Sequence, residues 1–546
     1  MKKTLLDRAI LYWQTVRYLR PSQVAWQLLR RVSPLPVSRP VTDVRVRGGL
    51  RLQAFARPVV PRIGPNEISF LNRARPLDVA SVDWASPEWP KLWRYNLHYF
   101  DYLHWPVYED HITARLIDSW IAAQPAPSGD GWEPYPLSLR TVNWIKFWLT
   151  GSTDRPIPQP WLDSLATQLA GLESRVEYHL LANHLLKNGK ALLFGGMFFE
   201  GARAGRWRTL GLQILTREAD EQILPDGGHF ERSPMYHCIV LEDLLDVVNL
   251  CRSNPALVAP VAEATLTAAA IRARDFLVAI TAGDGRIPLF NDSAFGIAAE
   301  PTALLDYAQR VLAGPSPPLP ARIDLPDTGY FGYRHGGESL IIDCGAIGPD
   351  YQPGHAHCDT LSYELCLEGC RVVVDSGVLD YEVGPNRQLV RGTAAHNTVR
   401  IDGVDQSEIW GAFRVARRAY PLSPSLTPWG QGNRLESRGA HDGYRRLPGR
   451  MRHERRVVVE RGQSWSVFDL ITGQGRARHR AESFIHLDPS CTVEPLPASP
   501  VDLPRFLIRQ PGTDGLQLLL TVTCGSTARL VAGYTFPEFG LSQANQ

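Results

Sequence analysis

No stretch of the 546-residue sequence reaches the ~18 consecutive apolar residues that a membrane-spanning helix needs. The opening segment also lacks the uninterrupted apolar run of a secretory signal, because Asp7, Arg8, Gln14 and Arg17 break it into an amphipathic helical pattern. A cytoplasmic protein is therefore the default expectation, with the periplasm or export as the alternatives. Excess charge of one sign is missing as well. The formal net charge is +2, which argues against nucleic acid as the partner, because phosphate binding needs a concentrated basic surface. None of the eight cysteines forms a CxxC pair, which argues against a zinc ribbon or a thioredoxin-like motif and makes most of them reduced, buried small residues, with a disulfide still open to the sequence. There is no internal repeat of fixed period.

The chain does contain aromatics, and its pattern changes partway along. Fifteen tryptophans and eighteen tyrosines either stack on sugar rings or fill the core of a large protein. From Leu5 to about Ala313 apolar residues recur three and four apart, as in "HCIVLEDLLDVVNLCR" and "AEATLTAAAIRARDFLVAIT", which predicts successive helix pairs. The proline-rich "GPSPPLPARIDLPDTG", residues 314–329, marks a boundary. After it come short β-rich runs bounded by Gly, Asp or Asn, such as "SLIIDCGA", "CRVVVDSG" and "WSVFDLITG", which predict a large antiparallel sheet or sandwich. The expectation is an α+β multidomain chain. Residues 1–320 form a helical α/α toroid, of which 1–90 are a helical or irregular extension, and residues 321–546 form an antiparallel β-sandwich.

Four stretches gather chemistry. Asn183-His184 places polar groups in an apolar helical pattern, where the Asn could simply cap a helix. "LPDGGHFERSPMYHCIV" holds His229, Glu231, Arg232, Tyr236 and His237 in one loop and helix start. "WEPYPLSLRTVNW" sets Arg140 and Asn143 among Trp132, Tyr135 and other aromatics. "PGHAHCDTLSYELCLEGCRVVVDSG" has His355 and His357 at strand spacing, which projects both from one face. With Asp375 and His396 the set has the ligand types of a zinc-like metal. A hairpin turning at Glu368-Gly369 would put Asp375 opposite Ser362 rather than His357.

Together, "NH", "PDGGHFERSPMYH", "GHAHCDTLSYEL", "VVVDSG" and "AHNTVRIDGVDQSE" resemble the heparinase II/III-like family of polysaccharide lyases, which includes heparinase III and a group of alginate lyases. The resemblance runs from about Tyr95 to about His486 and is strongest in residues 353–414. It implies an incomplete α/α toroid followed by an antiparallel β-sandwich, with the active site in the cleft between them. It further implies that Asn183 and His184 contact a uronate carboxylate, that Tyr236 and His355 are catalytic, and that His357, Asp375 and His396 bind a structural metal, usually zinc. Arg140, Asn143, Arg232, Trp132 and Tyr135 are the expected substrate contacts. The expected activity is β-elimination in an acidic, uronic-acid-containing polysaccharide, giving unsaturated products. Two alternatives are a metal-dependent polysaccharide hydrolase and a non-catalytic protein that binds exopolysaccharide or is linked to its biosynthesis. The segment "TVRYLRPSQVAWQLLRRV", residues 15–32, differs from a mature lyase start and resembles family members associated with bacterial exopolysaccharide.

Overall fold

A computed structural model describes residues 5–535 apart from 33–39, 57–66, 72, 80, 106–109, 125–126, 152–155, 428–432, 497–504, 510–515 and 524–527. Helices dominate up to Leu312 and strands dominate from Arg322, so the change of architecture falls inside the proline-rich stretch. The first two helices, α1 (Leu5–Val16) and α2 (Pro21–Val32), bury only Gln23 between them. A two-stranded hairpin, Glu67–Phe70 with Arg73–Pro76, then interrupts a region where the sequence suggested only helix or irregular chain.

The helical core is built from sequential helices Pro134–Thr150, Gln159–Glu173, Ala182–Phe198, Ala202–Gln222, Pro234–Ser253, Pro260–Ile280 and Pro301–Leu312. Five of these have proline at the first or second helical position after the cap, where its missing N–H costs nothing. Helices Ala182–Phe198 and Ala202–Gln222 approach closely at glycine. A Cβ on Gly196 would meet the Arg208 backbone N at 2.3 Å, and one on Gly211 would meet the Leu193 N at 2.5 Å. Most of the aromatic content belongs to core packing. Trp84, Trp93, Trp120, Trp144, Trp207 and Trp465 are fully buried.

The β half stacks two antiparallel sheets. One has eight strands in the order Pro421–Thr427, Arg434–His441, Arg452–Glu460, Ser464–Thr472, Ala528–Thr535, Leu516–Thr523, Arg505–Arg509, Thr492–Pro495. The other has five strands in chain order, Arg322–Leu325, Tyr330–His335, Glu338–Asp343, Tyr363–Leu367 and Cys370–Val373. They share one core, in which Leu340, Tyr363 and Leu365 pack with Val457, Val459 and Val467, and Trp465 donates its Nε1–H to the Tyr333 hydroxyl at 2.6 Å. Strand Ser464–Thr472 alternates buried and half-buried residues, as a sheet with one solvated face requires. Strand Tyr363–Leu367 is buried at every position. The reason is that the second face of the five-stranded sheet joins the helical core through Ile323, Leu325, Tyr330 and Ile341. This shared layer fixes the two halves against each other, and the candidate site lies along the seam.

Candidate functional site

Four segments meet at the seam, two of them around the start of a helix. The helix Ala182–Phe198 begins after Leu181 and Ala182, both at positive φ (63° and 51°), a conformation that costs a non-glycine residue on the order of 1–3 kcal/mol. The Ala182 carbonyl is held by Gln222 Nε2 at 2.9 Å. Asn183 does not cap this helix. Its Nδ2 points instead at Glu231 Oε1, 3.5 Å away, and at His355 Nε2, 3.4 Å away. The helix Pro234–Ser253 is capped by Ser233, whose hydroxyl accepts the Tyr236 backbone N–H at 3.3 Å. Tyr236 thereby projects from the first turn.

His355 and His357 lie in a loop rather than on a strand, contrary to the spacing argument. They nonetheless turn to the same side, because one carboxylate binds both. Asp292 accepts His355 Nδ1–H at 3.0 Å on Oδ2 and His357 Nε2–H at 2.7 Å on Oδ1. Arg387 donates to both oxygens of Asp292, one contact at 2.7 Å. Burial alone would raise the Asp292 pKa, but Arg387 and the two imidazoles outweigh it and hold the carboxyl well below its usual range. His355 also lies flat on Tyr236, with ring centroids 3.6 Å apart, and its Nε2 is 3.2 Å from Glu231 Oε2. Glu231 is 2% exposed, and burial raises its pKa. Burial also pushes the Tyr236 phenol well above its ordinary value, and the neighbouring Tyr381 hydroxyl adds to the rise.

Next to this cluster His184 packs against Tyr135 in a tilted ring contact, 4.4 Å between centroids, and its Nδ1 is 3.3 Å from Glu177. Burial would lower the His184 pKa, but the Glu177 charge raises it above 6.5 on balance. Asn183, His184, Tyr236, His355 and Tyr135 are thus brought together. Four other expected contacts are not. Arg140 is fully buried beneath them. It donates to Gln168 Oε1 (2.9 Å) and to the carbonyls of His98 (3.1 Å) and Gly131 (2.8 Å), and desolvation lowers its pKa. Asn143 bonds the Tyr99 carbonyl and Asp101. Trp132 is 3% exposed with its N–H on the Gln124 carbonyl. Arg232 turns to the carbonyls of Thr328 (2.9 Å) and Asp327 (3.1 Å), where it ties the two halves together, and the guanidinium whose charge reaches Tyr236 is that of Arg387. His229 and His237, also in the dense loop, are buried against Gln222 and the Ala273 carbonyl.

The residues that sequence reasoning missed are Asp292, Arg387, Glu177 and Tyr381. The "NDS" triplet 291–293 is the hub of the site. Asn291 Oδ1 accepts the His357 N–H (2.9 Å), the Asp292 N–H donates to the His355 carbonyl (3.1 Å), and the Asp292 carbonyl accepts the Ser233 hydroxyl (2.7 Å). Its only sequence signal is a polar triplet inside an otherwise apolar run, "IPLFNDSAFG".

Behind the cluster lie the expected metal ligands. The His396 Nδ1 contacts Asp375 at 2.9 Å, and Ser362 donates its hydroxyl to Asp375 at 2.8 Å, across a hairpin whose register shifts at Leu365 and Cys366. His357 and His396 have ring centroids 5.3 Å apart. Burial holds His357 neutral, its pKa lowered to about 3, and with Nε2–H on Asp292 its Nδ1 has no partner. His396 Nε2 is likewise buried without one. Burial raises the Asp343 pKa, with Asp359 and Asp375 adding to the rise, and burial raises Asp359 to about 6, with Asp375 adding to it against the opposing charge of His396. Orphaned imidazole nitrogens beside excess buried carboxylate charge are the donor chemistry that suits a divalent ion. Among the described residues, however, no three such side chains stand close enough together as placed to hold one.

Comparison with known proteins agrees with this architecture. Residues 110–309 match the family model described as heparinase II/III N-terminus, and residues 317–546 match that described as heparinase II/III-like, C-terminal. A heparin-sulfate lyase of Pedobacter heparinus is 26% identical over 249 residues, 40% of this chain and 36% of that protein. A heparin-sulfate lyase of Bacteroides stercoris is 26% identical over 262 residues, 42% of this chain and 37% of that protein. The matched segment thus spans little more than a third of these relatives' length. A crystal structure of heparinase III superposes with a TM-score of 0.61 at 17% identity, covering 83% of this chain and 78% of that one. A helical half joined to a β-sandwich, the seam cluster and the two adjoining family matches place the chain in the heparinase II/III-like family.

Proposed function

We propose that this protein is a polysaccharide lyase that cleaves a uronic-acid-containing acidic polysaccharide by β-elimination. The observation that carries the reading is the convergence of Asn183, Tyr236 and His355 from three separate segments on one seam position, with His184 beside them. The heparin-sulfate lyases to which the chain is similar support the same reaction class.

Elimination removes the C5 proton of the uronate, forms the C4–C5 double bond and expels the group on O4. The C5 proton is acidic enough only when the adjacent carboxylate is neutralised as charge develops. Asn183 and His184 would do this, His184 as a cation sustained by Glu177. Preorganised donors of this kind are worth roughly 3–4 kcal/mol each. Asp292 fixes the proton of His355 on Nδ1, which leaves Nε2 as a lone pair able to take the C5 proton. The C5–H electron pair becomes the double bond, the C4–O4 bond breaks, and O4 takes the proton of Tyr236. The phenol is protonated at neutral pH, as donation requires; because burial raises its pKa, it gives up the proton only as O4 becomes the more basic group in the transition state. The imidazolium and phenolate left behind are in ring contact and reset by proton return. For His357, Asp375 and His396 to hold a zinc-like ion in a structural role, their side chains would have to draw closer together than they stand here; the ion would then neutralise the buried carboxylates.

Ultraviolet absorbance of products across a panel of glucuronate- and mannuronate-containing polysaccharides tests the proposal. The expected result is an absorbing, unsaturated product from at least one polymer. Saturated new reducing ends without absorbance would mean hydrolysis and overturn it.

A further inference from the structure

Helices α1 and α2 stand apart from the rest of the surface. Eighteen large hydrophobic side chains are exposed among the described residues, and eleven of them lie in these two helices. They are ordered rather than scattered. In α1, Leu5, Leu6, Ile10, Trp13 and Val16 fall at helical spacing on one face, while Leu11 and Thr15, on the opposite side, are half-buried against the body. In α2, Val24, Leu28, Leu29 and Val32 form the exposed stripe, and Gln23 and Arg30 face inward. Leu5 is 86% exposed, Trp13 65% and Val32 79%. Contiguous apolar surface of this kind on a folded protein marks an interaction site.

The charge of the segment selects the partner. Residues 1–32 contain seven Lys or Arg and one Asp, a net of +6 in a chain whose total is +2. Arg8, Arg17 and Arg31 are exposed beside the apolar stripes. Each helix is 12 residues long, about 18 Å, too short to cross a ~30 Å hydrocarbon layer, and no helix among the described residues is long and apolar enough to do so. Short helices with a Trp- and Leu-bearing face and flanking arginines suit the plane of an anionic lipid surface. A soluble polyanion would engage the arginines but gives no reason for the exposed leucines.

We infer that α1 and α2 form a docking surface for an anionic lipid bilayer, which they engage lying flat. The pair is anchored to both halves of the body. In α1, Thr15 Oγ1 accepts the Trp410 Nε1–H at 3.0 Å and Tyr12 packs on the same indole at 4.8 Å. In α2, Trp26 stacks on Tyr178 at 5.1 Å. Just before α2, Arg20 pairs with Glu221. Membrane attachment through these helices would therefore hold the whole enzyme.

The test is cosedimentation of the full chain with vesicles of phosphatidylglycerol and phosphatidylcholine, against vesicles of phosphatidylcholine alone. Binding is expected only to the anionic vesicles, weakening as salt rises, with a blue shift of tryptophan emission. The triple variant Leu6→Glu/Trp13→Glu/Leu28→Glu changes exposed positions only. It should melt with the parent and lose roughly tenfold or more in lipid partitioning, since apolar insertion and charge act together. The inference is overturned if the parent binds neither vesicle, if the triple variant binds as well as the parent, or if the stripes serve instead to pair two copies, seen as a dimer that the variant loses without any vesicle binding.

Discussion

Tyr236 and His355 lie ring on ring, 3.6 Å between centroids, although they belong to different halves of the chain and are 119 positions apart. Tyr236→Phe keeps the stacked ring and removes only the hydroxyl. If that hydroxyl protonates O4, turnover falls by roughly 10²–10⁴-fold while substrate binding changes little. His355→Ala should lose a comparable factor. The double variant should lose much less than the product of the two, because the groups act in one step. A Tyr236→Phe variant that forms unsaturated product near the parent rate would remove this tyrosine from the mechanism.

Asp292 positions both histidines without facing substrate, so its replacement should separate orientation from chemistry. Asp292→Asn leaves Arg387 buried without its counter-charge and lets His355 adopt the wrong tautomer. Losing one partner of a buried ion pair costs about 3–5 kcal/mol. Thermal denaturation should show a loss of that order. The folded variant should have a lowered kcat with KM near the parent value. An unchanged kcat at a lowered melting temperature would assign Asp292 to stability alone.

Much of this was legible in the sequence, for physical reasons that also mark where legibility ends. Helical periodicity and β-rich runs report burial of one face, so the switch near residues 314–329 was visible. Strand Arg434–His441, "RLESRGAH", was not, because its inward positions include the polar Ser437 and His441 and so break the apolar alternation. The histidines and Tyr236 were found as dense clusters of titratable groups. Asp292 was not, since it sits 63 residues before His355 in an unremarkable turn and acquires its role only through the fold. Arg140 and Asn143 misled because a polar side chain among aromatics looks like a ligand contact. Here each satisfies backbone carbonyls that the helical core would otherwise leave unpaired. Sequence spacing cannot tell which partner such a group will find.

The His184–Glu177 pair sets a pH window. The His184 pKa lies above its ordinary 6.5, so its stabilising contribution is complete below 6.5 and fades as pH rises through the folded value. Burial would raise Glu177, but His184 and its hydrogen bonds lower it below 4.5, so its contribution holds above 4.5 and is lost as pH falls through the folded value. The stability gap between parent and Glu177→Gln should be widest between these limits and narrow on both sides. The alkaline limb of kcat/KM should move to lower pH in the variant, because His184 loses the charge that keeps it protonated. An alkaline limb that stays in place would mean that His184 is not the titrating group.

Metal content provides the last test, with readouts that do not depend on turnover. The expectation rests on the unpartnered nitrogens of His357 and His396 next to Asp375, whose charge raises the pKa of the buried Asp343 and Asp359. Protein purified without chelator should hold about one zinc-like ion per chain, and its removal should lower the melting temperature, because the binding energy of a structural ion is folding energy. His396→Ala should lose the ion and become insensitive to chelator. A control is available within the same sandwich. His453 is also buried, donates to Asp469 at 2.7 Å and lies 3.3 Å from His441, yet it has no unpartnered nitrogen. His453→Ala should lower stability and keep the ion. If the parent protein carries no ion after growth with supplied zinc, or if His396→Ala retains it, then His396 and Asp375 are an ordinary buried ion pair, and the orphaned nitrogen of His357 must have some other partner.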